Sequence, residues 1–298
     1  MKFKNTEFLK GAMLGLIVAD ALGVPFEFKN RDTFKVTGMV GGGTHNQPVG
    51  TWSDDSSMTL ATLDSFIKKD KIDMNDIMRK FLAWFKDYTY CPHGVCFDIG
   101  HTVVTALGRY DERSLFGDCD PTRCGGRGFK DNGNGSLMRI LPIAFVEHTV
   151  QDILDLSSLT HAHEIALMSC RLYVQLAENL MNGMSKEDAI THLTCCIDEC
   201  ENIPKMKGYP RESIKSSGYV IDSFEAAVWS FVNSESYSEC VIKAVELGED
   251  TDTVAAIAGG LAGIYYGIGG EKGVPEEWID TLARKDWIME MLDKACQG

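Results

Sequence analysis

The chain has 298 residues, 44% of them hydrophobic, and a formal net charge of −14. A chain of this length can bury a sizeable core, as one large domain or two small ones, without disulfide staples. The acidic balance, with a pI near 4.9, argues against nucleic acid or an anionic membrane as a main partner. It still leaves room for local capture of a phosphate by backbone N–H groups.

The opening stretch MKFKNTEFLKGAMLGLIVADALG sets lysines before an apolar run, as a signal peptide does. Glu7, Lys10 and Asp20 interrupt it, however, and its spacing predicts an amphipathic helix over 7–22. No segment reaches the ~18 unbroken apolar residues of a membrane span, so neither export nor insertion is expected. Helical periodicity recurs over 56–69, 74–87, 99–109, 136–147, 151–159, 163–182, 186–200, 222–233, 237–247, 253–267 and 284–295. Gly-, Pro- and Asn-rich pieces such as GGGTHNQPVGTW, GGRGFKDNGNG and GIGGEKGVP punctuate these helices, and only 35–40 reads as a short strand. There is no linker, repeat or shift in composition, so residues 1–298 read as a single compact all-α domain. Within it, the Ala- and Gly-rich segment 253–267 fills little space but allows close helix approach, which predicts a central position. The ten cysteines, among them Cys195, Cys196 and Cys200 on the 186–200 helix, read as reduced thiols of a cytoplasmic protein.

Two acidic clusters carry the chemistry. GTWSDDSSM contributes Ser53, Asp54 and Asp55, and LGEDTDTVAA contributes Glu249, Asp250, Asp252 and Thr253; each stands at the mouth of a core-like helix. Helix capping explains either one alone, because Ser, Thr and Asp accept the orphan N–H groups of a first turn. Yet no Lys or Arg lies within 247–263, and carboxylates withdrawn from water are costly unless something positive compensates. A cation site shared by the two clusters resolves that cost. Consecutive residues such as Asp54 and Asp55 diverge in direction and can each address one of two cations, while Asp250 and Asp252, two apart in a turn, can face the same way. Hard oxygen ligands favour Mg²⁺ or Mn²⁺ over zinc.

Other metal motifs fail. An EF-hand counted from Asp250 would need Gly and Glu where the chain has Ala255 and Leu261, and a DDxxD motif would need Asp at Met58. No Walker loop and no HExxH is present. Cys91-x4-Cys96 and Cys119-x4-Cys124, with His93 inside the first pair, leave a structural zinc as an alternative to free thiols.

Seven segments in order, GAMLGLIVADALGVPFEF, GTWSDDSSM, FDIGHTVVTAL, DNGNGSLMRILPIA, LTHAHEIA, SGYVIDSFEAAVWSF and GEDTDTVAAIAGGLAGIYYG, span nearly the whole chain. Together they resemble the ADP-ribosylglycohydrolase family, in particular its dinitrogenase reductase-activating type. The resemblance implies an all-helical fold with a cleft that binds ADP-ribose and two divalent cations, Mg²⁺ or Mn²⁺. It implies metal ligands at Ser53, Asp54, Asp55, Asp250, Asp252 and Thr253. It further implies a glycine loop along the ADP-ribose groove at Gly133, Asn134, Gly135 and Ser136, with His161 near the phosphates. Glycines let backbone N–H groups approach a pyrophosphate, which agrees with that role, although GNGS also reads as an ordinary turn. Asp98 falls where the reactivating enzymes carry a carboxylate close to the scissile bond; a cap for the helix from 99 is the other reading. Glu27 matches a glutamate near the metals in some relatives. The family often has Gly-Gly or Gly-Asp where this chain has Gly248–Glu249, and Glu249 is expected to point to solvent. His163 has no counterpart and is left at the surface.

The expected reaction is hydrolysis of the glycosidic bond between the distal ribose of ADP-ribose and a protein or small-molecule acceptor, arginine first. Asp98, and after it Asp55 or Glu27, is the expected general acid or base. Two alternatives belong to other classes. One is an all-α metal-dependent phosphohydrolase that cuts the pyrophosphate, disfavoured by the absence of a His-Asp dipeptide. The other is a non-catalytic member, like the jellyfish lens crystallins that resemble the family.

Overall fold

The Ala- and Gly-rich segment does occupy the centre. In the computed structural model, which describes residues 1–115, 117, 120–195 and 197–297, α10 (Thr251–Tyr266) lies along α1 (Thr6–Gly23), in the most extensive helix pairing of the fold. The pairing needs residues without side chains. A Cβ on Gly15 would overlap the Gly259 carbonyl oxygen, and one on Gly263 would overlap that of Gly11. Removing Cβ at these crossings brings two backbones into direct contact, and the flanking apolar side chains fill the space on either side. By length and composition the stretch Thr6–Phe26 would suffice to cross a membrane, but 89% of its most apolar window is buried inside the protein.

Around this pair pack α2 (Asp54–Lys68), α6 (Glu164–Met181), α8 (Val220–Val232) and α9 (Tyr237–Val245). α12 (Lys285–Gln297) and α11 (Glu276–Thr281) also pack on α1, and α3 (Met74–Asp87), α4 (His101–Ser114), α5 (Val150–Ser158) and α7 (Lys186–Thr191) lie outside these. One hydrophobic core runs through these layers, and among the described residues the only β pairings are isolated bridges. Two of the outer helices, α3 and α5, are amphipathic and capped as their sequences suggest. Asp73 accepts the Asp76 N–H at the start of α3, and Thr149 and Asp152 form a reciprocal capping box on α5.

The structure departs from the sequence reading in four places. Residues 136–147 are not one α-helix but two buried 3₁₀ helices, Asn134–Arg139 and Leu141–Phe145; Pro142 has no N–H and cannot continue an α ladder. The helix expected over 186–200 stops at Thr191, whose hydroxyl donates to the Glu187 and Asp188 carbonyls. A 3₁₀ turn, Asp198–Cys200, follows, and Cys196 lies outside the described residues. No strand forms over 35–40, which is loop. The six-residue α11 was not anticipated, being too short to show a period.

Candidate active site

The two acidic clusters meet at the C-terminal end of α1, and a third carboxylate brings them there. Asp20, fully buried in α1, accepts the Ser53 N–H at 2.9 and 3.1 Å, the Ser56 N–H at 3.0 Å and the Ser56 hydroxyl at 2.5 Å. It thereby caps α2 from a neighbouring helix. The Ser53 hydroxyl accepts the Asp55 N–H at 3.3 Å and donates to Asp55 Oδ2 at 2.9 Å, so the capping reading holds for Ser53. It fails for Asp250, which stands at the start of α10 without a side-chain cap bond and instead accepts Asn134 Nδ2 at 2.7 Å. Thr253 Oγ1 reaches across to Asp55 Oδ2 at 3.2 Å, and Thr251 Oγ1 donates to the Gly23 carbonyl at 2.9 Å. These bonds tie the first turns of α2 and α10 to the end of α1.

The resulting cluster is anionic and almost unpaired. Carboxylate oxygens of Asp20, Asp55 and Asp252 lie within 4.8 Å of one another, as do those of Glu27, Asp250 and Asp252. Asp55 Oδ1 and Asp252 Oδ2 are buried without any hydrogen-bond partner. Among the described residues no Lys or Arg forms an ion pair with any of these acids. Burial, and then the neighbouring carboxylates, push Asp54, Asp55 and Asp252 well above the usual carboxylate range. Burial also raises Asp20 to about 6 and, with Asp98 and Asp250 beside it, Glu27 to about 10. Orphaned buried oxygens in a hard-oxygen donor set are what a divalent cation satisfies, and the residues present fit one.

Asp98 is not the cap of α4. That position belongs to Gly100, and Asp98 sits two residues earlier in the left-handed region at φ 54°. Its carboxylate groups within 4.8 Å of Glu27 and of His45, whose Nε2 bonds Glu27 Oε2. The loop bearing His45 is fastened by Thr44 Oγ1, which donates to the Glu27 carbonyl at 2.6 Å. Asp98, too, is raised from its usual range, first by burial. Glu249 is exposed, as expected, and takes part only through its backbone, accepting the Phe28 N–H at 2.7 Å and donating to the Lys29 carbonyl at 2.9 Å.

These acids line an open cleft of about 270 Å³, just below the roughly 300–1,000 Å³ usual for small-ligand sites. Glu27, Asp54, Asp98, Asp250 and Thr253 line it together with Gly133, Asn134, Gly135, His161 and Lys130, and the Asn134–Asp250 bond joins the two groups. Ser53, Asp55 and Asp252 are buried and do not line the open cleft. Ser136 is turned away: its hydroxyl is buried and accepts Ser157 Oγ at 2.9 Å. Burial, then the Arg139 charge, lowers His161 to about 3, so its imidazole is neutral. His163 is half-buried rather than free on the surface, and its Nδ1 accepts the Ile165 N–H to cap α6.

Among the described residues the zinc alternative finds no ligand group. Cys91 and Cys96 are neighbours, with Sγ atoms 3.0 Å apart, but the Cys96 thiol donates to the Trp84 carbonyl and His93 Nε2 is engaged by Thr51 Oγ1 at 2.9 Å. Among the described residues, no group of three ligating side chains includes Cys91, His93, Cys96 or Cys124; Cys119 lies outside them.

A model of the ADP-ribosylglycohydrolase family matches residues 4–298. The chain belongs to that family. It is a glycohydrolase, and several of its relatives carry names of that kind. An ADP-ribosylarginine hydrolase of Pseudomonas putida (strain GB-1) is 33% identical over 302 residues, covering 97% of this chain and 78% of the relative. The ADP-ribosyl-(dinitrogen reductase) glycohydrolase of Rhodospirillum rubrum is 28% identical over 288 residues, covering 92% and 90%. A solved structure titled ADP-ribosylglycohydrolase-related protein complex superposes on the glycohydrolase with a TM-score of 0.80 at 30% identity, covering 98% of this chain and 96% of that one.

Asp20, His45 and Lys130 belong to the glycohydrolase site without having been singled out by the sequence reading. Asp20 left a signal, a lone carboxylate in an otherwise apolar helix segment, which served only as evidence against a signal peptide. His45 left none, because it lies in a loop with no period and reaches Glu27 only through the fold.

Proposed function

We propose that this glycohydrolase removes ADP-ribose from a modified acceptor, arginine first, by hydrolysing the glycosidic bond at the distal ribose with the help of two divalent cations, Mg²⁺ or Mn²⁺. The observation that carries the reading is the convergence of the two acidic clusters, with orphaned oxygens on Asp55 and Asp252, beside a groove walled by Gly133, Gly135 and a neutral His161. The arginine preference is supported by the relatives named ADP-ribosylarginine hydrolase.

Ser53, Asp54, Asp55, Asp250, Asp252 and Thr253 are the proposed ligands, with Asp20 holding the first turn of α2 in place through its bonds to Ser53 and Ser56. When bound, the cations supply positive charge that orients ribose hydroxyls and water and stabilises an oxocarbenium-like state. Asp98 faces the open cleft and is the proposed group to take a proton from water or to assist the leaving group. Glu27 lies against it, and with both carboxyls raised by burial the two favour sharing a proton over ionising together. Asp55 does not line the cleft, which supports a ligand role over direct proton transfer. Gly133 and Gly135 allow backbone N–H groups close to a pyrophosphate, and Lys130 adds one cationic group to that lining. A reducing cytoplasm is the proposed location, consistent with Cys91, Cys96, Cys170, Cys200, Cys240 and Cys296 being reduced thiols.

A panel of acceptors ADP-ribosylated on arginine, serine, a nucleobase and an ester, assayed with Mg²⁺, with Mn²⁺ and with chelator, tests the reading. Free ADP-ribose as the product is the expected result. AMP would identify a phosphohydrolase, and no turnover of any acceptor despite tight ADP-ribose binding would identify a binding protein.

A further inference from the structure

Arg139 is the one large charged side chain among the fully buried residues. It has no exposed surface and forms no ion pair among the described residues. Its guanidinium stacks on the Phe81 ring at 4.7 Å, and both terminal nitrogens bond the Leu156 carbonyl at 3.3 Å. Nε has no partner. A buried, incompletely satisfied cation costs more than an apolar residue of the same volume, so stability does not account for it. Its shortest bond points to another reason. Nη2 donates to Thr160 Oγ1 at 2.8 Å, and that oxygen lies 2.8 Å from His161 Nδ1.

The proton inventory of this chain has one consistent solution. A guanidinium only donates, so Thr160 Oγ1 accepts from Arg139. Thr160 Oγ1 has no third hydrogen-bond partner among the described residues, so its own proton goes to His161 Nδ1. Nδ1 is therefore an acceptor, and a neutral imidazole must then carry its proton on Nε2. Nε2 is the nitrogen toward the glycine loop, lying 3.5 Å from where a Cβ would stand on Gly133 or Gly135. Protonation of Nδ1 would pit its N–H against the Thr160 proton and bring a second charge beside Arg139.

We propose that Arg139 and Thr160 are positioning residues that lock His161 as the Nε2–H tautomer, giving the groove a fixed, uncharged donor for a phosphate oxygen. This rests on the reading of the groove as the ADP-ribose site. A neutral donor suits a cleft whose carboxylates would hold cations, because it recognises a diphosphate without competing for those carboxylates. The low value of about 3 for His161 agrees with the lock.

The test reads the tautomer and the affinity separately, on the full chain in millimolar Mg²⁺. Nitrogen-15 spectra of labelled histidine, with His161 assigned by its loss in His161→Gln, should show one Nε2–H form between pH 6 and 8. Thr160→Val keeps the shape but breaks the relay, so the Nδ1–H form should appear and ADP-ribose affinity should fall roughly tenfold, the value of about one hydrogen bond to a charged group. Thr160→Ser should restore both. In a His161→Ala background, Thr160→Val should cost no further affinity. An Nδ1–H form or an imidazolium in the wild type, which needs no variant to fold, overturns the lock, as does a Thr160→Val spectrum identical to wild type. A wild-type Nε2–H signal without ADP-ribose binding overturns the groove reading instead.

Discussion

Thr253 Oγ1 donates to Asp55 Oδ2 at 3.2 Å, joining residues 198 positions apart at the first turns of two helices. Through that contact the N-terminal ends of α2 and α10, where the helix dipole favours negative charge, share one set of carboxylates. The dipoles ease the crowding only partly, since Asp55 Oδ1 and Asp252 Oδ2 stay without partners.

The first prediction concerns the ligands. Asp54→Ala and Asp252→Ala should each abolish turnover. Because each removes a buried carboxyl group with no ion-pair partner, the metal-free variants should keep their fold, and their melting temperature in chelator should match or exceed that of wild type. Full activity in chelator, or in the double variant, would rule out the cation site.

The second concerns metal and pH together. Mg²⁺ or Mn²⁺ should raise the melting temperature with concentration, because a cation binds only the assembled clusters. In the metal-free protein the sign is different. Asp20 and Glu27, raised to about 6 and about 10, hold protons in the folded state at pH values where the unfolded chain, with carboxylates near about 4, has lost them. Their contribution therefore rises as pH falls from roughly pH 8 to pH 5. Asp64, held low by Tyr90 and Lys68 despite its burial, acts the opposite way, but only below that window. Metal stabilisation should shrink over the same range, since ligands must be ionised. Melting curves with and without metal at several pH values check both slopes; parallel curves would contradict the cluster.

The third separates chemistry from binding. Asp98→Asn preserves shape, and Asn tolerates the left-handed backbone at φ 54°. ADP-ribose affinity and metal occupancy should stay near wild type while kcat falls roughly 10²–10⁴-fold. Calorimetric titration beside single-turnover hydrolysis reads both quantities. An unchanged rate moves the proton transfer to Glu27 or Asp55, and a joint loss of rate and affinity makes Asp98 a ligand.

The fourth concerns Asp20. Asp20→Ala leaves the Ser53 and Ser56 N–H groups buried without their acceptor, at a cost of roughly 1–3 kcal/mol. The metal-dependent rise in melting temperature should fall as well, since Ser53 and Asp55 lose their brace. A variant with wild-type stability and a full metal response would make Asp20 dispensable.

The fifth is a glycine pair. A Cβ on Gly23 would overlap the Asp252 backbone, whereas one on Gly108 in α4 meets nothing within 4 Å. Gly23→Ala should destabilise by roughly 1–3 kcal/mol and weaken metal binding by displacing Asp252. Gly108→Ala should stabilise by up to about 1 kcal/mol through helix propensity and leave metal binding alone. Denaturant melts with and without Mn²⁺ distinguish the two.

Local order was written plainly in the sequence. The 3.6-residue period located α1, α2, α3, α6, α8, α9 and α10 to within a few residues, because each buries one face or is buried all round and must repeat at that spacing. The Ser-Asp-Asp and Asp-Thr-Asp-Thr segments announced themselves because charge beside an apolar helix is costly and rarely without a use. What the sequence could not decide was anything set by neighbours distant along the chain. Asp20 looks like a flaw in an apolar helix until the fold carries α2 onto it. His45 is one loop histidine among several until the fold sets it on Glu27. Arg139 sits in a run that reads as an α-helix, but Pro142 and full burial break that run into 3₁₀ turns and aim the guanidinium at Thr160. Periodicity reports which face of an element is buried, and that follows from the hydrophobic effect acting along the chain. Which groups meet across the buried face depends on helix crossings, here permitted by Gly11, Gly15, Gly259 and Gly263, and that geometry exists only once the helices have packed.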